Sequence, residues 1–319
     1  MPNPSDPDHD STPLAPSASE LPGPAENLFL LINPMGDCKE DHPLSIASLT
    51  EALGSEAIVC VTRDDVAFPL FWPTLVQFPA DDATAADLLR LSQAYASREM
   101  AARTHYVCGW LSSEQPGAII GQHITQLCQA LRPADKATAV PWFEPVRVAL
   151  LRAAMKDAGK LLGPIRSWFH PEVDGGIAQF KGSPSTSELG VPEVARQVQQ
   201  LAPHVSHFLT AWRELNRSVK AYAPWRWSGP TGLPNEAPTH AWNLIRDAHQ
   251  HGLRDYADIH CLNLHRVMLH PLLLCHPEIQ KDVAQVVAGN RTLKSRFAAY
   301  DDPAWSRIVA ALPQARSYS

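Results

Sequence analysis

The sequence predicts an α/β protein with an N-terminal lobe, in which helices flank a central mixed sheet, and a C-terminal lobe that is all-helical. Over residues 27–170, short apolar runs bounded by turn formers alternate with amphipathic segments, a pattern typical of a sheet-based lobe. From residue 190 onward, the apolar residues recur at helical spacing instead. The predicted ranges are a disordered acidic tail over 1–25, an α/β domain over 26–172, a connector over 173–189 and a helical lobe over 190–319.

The N-terminal tail is rich in Pro, Ser and Asp, so it cannot bury enough apolar surface to offset the entropy lost on ordering. After it, short apolar runs predict the strands of the sheet, and longer periodic segments predict the helices between them. The predicted strands are NLFLLIN, AIVCVT, TLVQF, HYVCGWL and ATAVPWF. The predicted helices are PLSIASLTEALG, TAADLLRLSQAYASREM, EQPGAIIGQHITQLCQALR and VRVALLRAAM, the first of them ending at Gly54 as its C-terminal cap.

Residues 141–151, PWFEPVRVALL, are predicted to join a strand to a helix. Pro141 and Pro145 favour extended geometry in the residues before them, and Pro145 also fits the first turn of a helix. Glu144 then lies beside the helix N-terminus, where negative charge is favoured. The pattern therefore places Arg147 in the first helical turn.

The chain changes character after residue 170. The stretch PEVDGGIAQFKGSPSTSELG is rich in turn formers, so it is predicted to be a connector. Helices follow it, with a proline- and glycine-rich loop, APWRWSGPTGLPNEAP, between the first two. The predicted helices are PEVARQVQQLAPHVSHFLTAWRELNRSV, THAWNLIRDAHQHG, YADIHCLNLHRVML, PEIQKDVAQVVAG and PAWSRIVAAL.

The distribution of charge and cysteine narrows the class of protein. The net charge is −6, and most of it belongs to the N-terminal tail, so the body is nearly neutral. A nearly neutral body argues against nucleic-acid binding, which needs a basic face. The six cysteines form no CxxC pair, which indicates free thiols in a reducing compartment. The sequence shows neither a secretory signal nor an apolar run long enough to span a membrane, so we expect a cytoplasmic protein.

A histidine-rich stretch, HQHGLRDYADIH, raises the hypothesis of a metal-dependent hydrolase that uses His249, His251, Asp255 and His260. A metal site needs ligands that converge, whereas residues two apart on a helix point in different directions. The alternative is that the histidines stabilise a helix C-terminus. No GxSxG, P-loop, HExxH or GxGxxG motif is present. We therefore expect a protein that is not an enzyme and that has no catalytic residues, metal or cofactor.

Four stretches of the predicted α/β domain carry a recognisable pattern. NLFLLINPMGD is a strand that ends in an acidic turn, and FWPTLVQF has an apolar-Pro-x-Leu-Val strand. CGWLSSEQPGAIIGQHITQLCQAL is a strand, a serine turn and a helix with His123 near its middle. PWFEPVRVALL and LLGPIRSWFHPE contribute Phe143, Glu144, Pro145, Arg147, Gly163, Pro164, Ile165 and Trp168. Together these stretches resemble the effector adaptor chaperones of bacterial type VI secretion, although Glu144 stands where the family pattern has aspartate.

This resemblance implies a non-enzymatic adaptor that binds the N-terminal segment of a type VI secretion effector and assists its loading onto the VgrG spike. The implied partners are the effector and VgrG, with no nucleic acid and no membrane. An immunity or scaffold protein of the same system, or the metal-dependent hydrolase, is the alternative.

The expected partner-binding residues are Trp225, Arg226, Trp227, Arg147 and Arg166. Tryptophan and arginine are over-represented at binding hot spots, and the first three lie together in the predicted loop. Each group has a structural alternative. The two tryptophan rings can pack onto the helical lobe, and Arg147 and Arg166 can support the fold through helix-terminus and carboxylate contacts.

Overall fold

Short segments in the N-terminal half pair into a six-stranded sheet. The computed structural model of the protein describes residues 26–80, 82–133, 138–183, 190–217 and 232–313. In chain order the strands are β1 (Asn27–Ile32), β2 (Ile58–Cys60), β3 (Thr74–Phe78), β4 (Val107–Ser113), β5 (Ser167–Pro171) and β6 (Ile177–Lys181). Their order across the sheet is β2-β3-β1-β4-β5-β6.

The prediction of a mixed sheet is wrong, because every neighbouring pair of described strands is antiparallel. Strand β1 pairs with both β3 and β4, so that Leu30 lies opposite Val76 on one side and Trp110 on the other. Apolar periodicity identifies a strand but carries no information about its direction. The short turn between β5 and β6 does fix direction, since strands joined by a hairpin are antiparallel.

Strands β1 to β4 lie where the sequence predicts them, whereas β6 falls inside the predicted connector 173–189. That part of the connector prediction is wrong. The turn before β6 is closed by the N–H of Gly176, which donates to Asp174 Oδ1 at 2.8 Å. The sequence IAQFK, with turn formers on both sides, is therefore a hairpin strand rather than a linker.

The prediction of a strand at ATAVPWF is also wrong. Its described residues, 138–143, belong to no strand: the N–H of Val140 donates to Cys128 O at 2.9 Å, that of Trp142 donates to Val140 O at 2.8 Å, and Trp142 and Phe143 lie in a turn. Pro141 has no N–H to continue a strand ladder. The side chains of Trp142 and Phe143 are fully buried all the same. The apolar composition of this stretch therefore reflects core packing and not strand pairing.

The sheet belongs to one compact unit, Met1–Leu127 and Gly159–Ser187, which we call the sheet unit. Ser45 caps its first helix by accepting the N–H of Ser48 at 3.2 Å, and Gly54 ends that helix as predicted. The prediction of helices between the strands is thus confirmed. The helices in this part of the chain are α1 (Ile46–Leu53), α2 (Ala83–Arg98) and α3 (Gly117–Ala130).

Helices cover both faces of the sheet. On one face, Leu30 and Trp110 pack into an apolar cluster with residues of α1 and α2. On the other face, Phe29 and Val59 lie so close to Gly117 that a Cβ there would approach them within about 3.2 Å. The absence of a side chain at this glycine lets α3 lie close against the sheet.

The second compact unit, Cys128–Ala158 and Glu188–Ser319, has helices and no strand among its described residues, and we call it the helical unit. Its helices are α4 (Pro145–Ala154), α5 (Glu193–Arg217), α6 (Ala237–Gln250), α7 (Tyr256–Met268), α8 (Pro277–Val287), α9 (Leu293–Phe297) and α10 (Asp302–Ala310). Helix α4 packs against α5 and α6. The structure thus groups residues 128–158 with the C-terminal helices, although the predicted α/β range 26–172 includes them. Among the described residues, no helix has the length and apolar character needed to cross a bilayer.

Glu99, in the turn after α2, holds the start of β4. Its Oε1 accepts the N–H of Tyr106 at 2.7 Å and its Oε2 accepts that of Val107 at 3.0 Å. Burial raises the pKa of this carboxyl to about 7, although the two N–H donors oppose the shift, and nearby Asp37 adds to it. Near neutral pH the group is therefore divided between its protonated and ionised forms.

We expect Glu99 to make the fold less stable as pH rises from about 4.5 to about 7, by at most about 3 kcal/mol. The reason is that the folded chain holds the Glu99 proton more tightly than the unfolded chain does. Urea unfolding between pH 4.5 and 8 measures this effect as the difference between the wild type and Glu99→Gln. The free energy of unfolding of the wild type minus that of Glu99→Gln should fall up to about pH 7 and then stay level. Glu114→Gln, which changes an exposed carboxyl, is the control, and a Glu99→Gln difference that grows with pH would contradict the prediction.

Candidate functional site

The histidine and the glycine-proline turn of the recognised pattern meet in the sheet unit. His123 on α3 is buried, and its Nε2 lies 2.8 Å from Leu161 O. Burial lowers the pKa of this imidazole, so the ring is neutral at pH 7 and its Nε2–H donates to the carbonyl. Gly163 lies under the ring with φ +52°, and a Cβ there would come within 2.5 Å of His123 Cε1. This contact requires glycine for both its backbone conformation and its lack of a side chain.

A second pair of pattern residues meets between β4 and β5. Trp168 is fully buried, and its Nε1–H donates to Cys108 O at 3.4 Å. The indole lies against Gly109, where a Cβ would come within 2.5 Å of Trp168 Nε1. Both contacts leave no room for a ligand. The pattern residues therefore act as determinants of the fold.

Arg147 lies where the sequence predicts it, in the first turn of α4, but its side chain is buried. Its Nε donates to Glu144 Oε2 at 3.1 Å, and its Nη1 donates to Gln199 O and Oε1 at 3.0 and 3.1 Å. Gln199 Nε2 donates back to Arg147 O at 3.1 Å. These bonds join α4 to α5, so the contacts of Arg147 are those of a residue that supports the fold.

Arg166 differs from Arg147 because its side chain remains 61% exposed. Its Nε lies 3.1 Å from Glu26 Oε1, and its Nη1 lies 3.0 Å from Glu114 Oε1. The pair with Glu114, whose side chain is 65% exposed, contributes little to stability, whereas the side chain of Glu26 is only 13% exposed, so its pair with Arg166 is partly shielded from water. The other predicted contact residues, Trp225, Arg226 and Trp227, lie outside the described residues.

Of the four residues of the hydrolase hypothesis, three form local contacts, whereas the ring of His260 lies 5.8 Å from that of Phe208 on α5. His249 lies in the last turn of α6, with its ring centroid 5.8 Å from that of Tyr256, and His251 Nδ1 lies 2.9 Å from Asp247 O. Asp255 caps α7 by accepting the N–H of Ala257 at 2.7 Å. Over the ranges that the structure describes, no group of three or more metal-ligating side chains converges.

A cavity of about 580 Å³ opens in the helical unit among α7, α9 and α10. Its walls include Phe297, Tyr300 and Trp305, whose rings pack together with centroids 5.0 to 6.3 Å apart. Burial raises the pKa of the Cys261 thiol in this wall to about 11, so the sulfur stays protonated at neutral pH. The cavity therefore has an aromatic wall, with charged residues such as Lys294 and Asp302 also in its lining, and the Cys261 thiol in it is not activated.

Residues 66–72 form a surface that the sequence pattern does not reveal. Phe68, Leu70 and Phe71 are 68%, 73% and 43% exposed. An apolar run such as VAFPLFW favours burial on composition alone. The sequence feature that could have indicated this exposure is the pair Pro69 and Pro73, because two prolines prevent the run from continuing as a strand.

Comparisons with protein-family models, with curated proteins and with solved structures found no match for this chain. The resemblance to the adaptor chaperones therefore rests on the sequence pattern alone.

We expect Gly163→Ala to destabilise the protein more than Gly289→Ala. Both glycines have positive φ, which costs an alanine about 1–2 kcal/mol, but a Cβ at Gly289 would meet nothing within 4 Å. The overlap with His123 should add about 1–3 kcal/mol at Gly163. Chemical denaturation measures both variants, and His123→Ala in the Gly163→Ala background should remove the added part. Equal losses for the two single variants would contradict the contact.

We expect Arg147→Ala to lower the free energy of unfolding by about 2–4 kcal/mol, because it removes donors to the oxygens of buried Gln199 and half-buried Glu144. Arg90→Ala, the matched change at an arginine whose ion pair is exposed on both sides, should cost under about 1 kcal/mol. Denaturation curves recorded side by side test this contrast. It would be refuted by equal losses in the two variants.

Proposed function

We propose that this protein is a non-enzymatic adaptor chaperone of the type VI secretion kind. It binds the N-terminal segment of an effector and assists the loading of that effector onto the VgrG spike. The observation that carries the proposal is the packing of the pattern residues. His123 packs on Gly163, and Trp168 packs on Gly109, so two glycines within the pattern stretches lie where a larger side chain would not fit.

The surface of the sheet unit supports a binding role. Soluble proteins rarely expose several large apolar side chains together, and where they do, the patch usually binds another molecule. Phe68, Leu70 and Phe71 are such a group. A chaperone of apolar effector segments needs a surface of this kind, because those segments would aggregate in water.

The arginines divide between two tasks. Arg147 stabilises the fold. The exposed Arg166 can pair with a partner carboxylate if its ion pairs with Glu26 and Glu114 break. Together with Trp225, Arg226 and Trp227 it forms the proposed set of client contacts. A small set of hot-spot residues suits an adaptor that must release its client, because few contacts then have to break.

Co-expression with the protein encoded immediately beside this one tests the proposal. We expect a stable complex of defined mass, with a neighbour that is insoluble when expressed alone. The N-terminal segment of the neighbour should bind by itself, because an adaptor holds the part that is not toxic. Binding only to the toxic domain would indicate an immunity protein, and the absence of any complex would refute the adaptor function for this pair.

Within such a complex, we expect the double variant Trp225→Ala/Trp227→Ala to weaken capture at least tenfold, since buried aromatic anchors dominate interfaces. Arg166→Ala should weaken it less. Arg90→Ala, at an arginine whose side chain is 74% exposed on α2, is the control and should bind as the wild type does. Unchanged affinity in the tryptophan variant, with an unchanged unfolding midpoint, would remove the loop from the contact set.

A further inference from the structure

The cavity among α7, α9 and α10 has a buried carboxyl group in its wall. Asp258 on α7 lines the cavity and is only 6% exposed. Its Oδ1 accepts the N–H of Leu293 at 2.7 Å, which joins α7 to the first residue of α9. Its other oxygen, Oδ2, accepts no hydrogen bond within the ranges that the structure describes. The wall of this open space therefore contains an acceptor that the protein itself does not use.

No positive charge compensates this carboxyl group. Asp258 forms no ion pair with any Lys, Arg or His that the structure describes. Burial raises the pKa of Asp258, the N–H of Leu293 opposes the shift, and the charge of nearby Asp255 adds to it. The charge of Lys294, the one lysine in the lining, acts on the Cys261 thiol instead. A carboxylate in this position is stabilised by a donor that carries a positive charge.

The other charges around the cavity also favour a cation. Apart from its two histidines, the lining contains two acidic side chains, Asp258 and Asp302, and one basic side chain, Lys294. Lys294 and Asp302 are exposed, so water and salt screen their charges. Of the carboxyl and amino groups in this lining, Asp258 alone is shielded from solvent. An anionic ligand would place a second negative charge beside it, and a neutral ligand without a donor would cover Oδ2 and leave it unpaired.

The aromatic wall determines what the rest of the ligand must be. Phe297 and Trp305 pack edge to face with their centroids 5.3 Å apart, and the ring of Tyr300 lies 5.0 Å from that of Trp305. At these separations the rings contact one another and leave no space for a cation between them, so they form one continuous apolar surface. Such a surface binds an aromatic or aliphatic body. The volume of about 580 Å³ lies within the about 300–1,000 Å³ of ordinary small-molecule sites.

We propose that this cavity binds a small organic amine in its protonated form, with the ammonium group against Asp258 and the apolar body against the aromatic wall. The ammonium group donates to Asp258 Oδ2, so the carboxylate gains a hydrogen bond and an opposite charge together. The same chemistry is offered by a free amine and by the lysine side chain of a partner protein. The inference goes beyond the proposed function and does not rest on it.

Calorimetric titration of the full chain near neutral pH tests the site with ligands of similar shape and different charge. The probe is phenethylamine, which is a cation at this pH, and its controls are neutral phenethyl alcohol and anionic phenylacetate. We expect phenethylamine to bind at least tenfold more tightly than the alcohol, and phenylacetate to bind most weakly. A lysine derivative blocked at both its α-amino and carboxyl groups represents a protein side chain. If it binds more tightly than phenethylamine, the ammonium group comes from a partner protein, and if it binds more weakly, the ligand is a free amine.

Two variants locate the binding. Asp258→Asn keeps an oxygen for the N–H of Leu293 but removes the charge, so it should weaken phenethylamine at least tenfold and leave the alcohol unchanged. Ala257→Phe, at an exposed residue of the lining, fills the cavity without changing a buried residue and should weaken both ligands. Glu278→Gln is the matched control, because this carboxylate acts on Tyr300 from outside the lining. It should bind as the wild type does.

The proposal would be overturned by equal binding of phenethylamine and the alcohol, by tighter binding of phenylacetate, or by no binding of either amine. Full binding to a folded Asp258→Asn would also overturn it. If Asp258→Asn misfolds, unchanged binding to Ala257→Phe has the same meaning. The two proposals fail separately. Amine binding without an effector complex would leave this site intact, whereas an effector complex without amine binding would leave the adaptor function intact.

Discussion

The contact between the His123 ring and the backbone at Gly163 is the constraint on which the sheet unit depends. It holds the middle of α3 through the bond to Leu161 O, at a position where no other side chain fits beneath the ring. Helix α3 in turn covers one face of the sheet and reaches Thr62 through Thr125. A single buried imidazole thus fixes the position of α3, which both covers the sheet and contacts the chain at Thr62.

The sequence was sufficient to predict the central strands, because a strand buried on both faces appears as a continuous apolar run. The NLFLLI and VCGWLSS strands are of this kind. Direction and pairing could not be predicted, since they depend on which distant segment meets each edge. ATAVPWF has the composition of such a strand, yet Pro141 prevents the pairing and Trp142 and Phe143 fill the core from a turn. Local sequence does not distinguish these two ways of burying the same residues.

The candidate site was predictable only in part. Arg147 could be placed in the first turn of α4, but its acceptor, Gln199, lies 52 residues further along the chain. No local pattern connects the two residues. The exposure of Phe68 and Leu70 could not be predicted either, because apolar composition favours burial. These side chains face outward because of the conformation of the closed loop.

The interleaving of the two units along the chain also bears on synthesis. Residues 128–158 of the helical unit are made before the last two strands of the sheet unit, and α5 is made after both. While the ribosome is still translating, α4 therefore emerges with its apolar residues Leu150 and Leu151 uncovered and its arginine without the glutamine that later receives it. During that interval the nascent chain contains a helix whose main packing partner, α5, has not yet been made. The helical unit can therefore fold only after the sheet unit is complete in sequence.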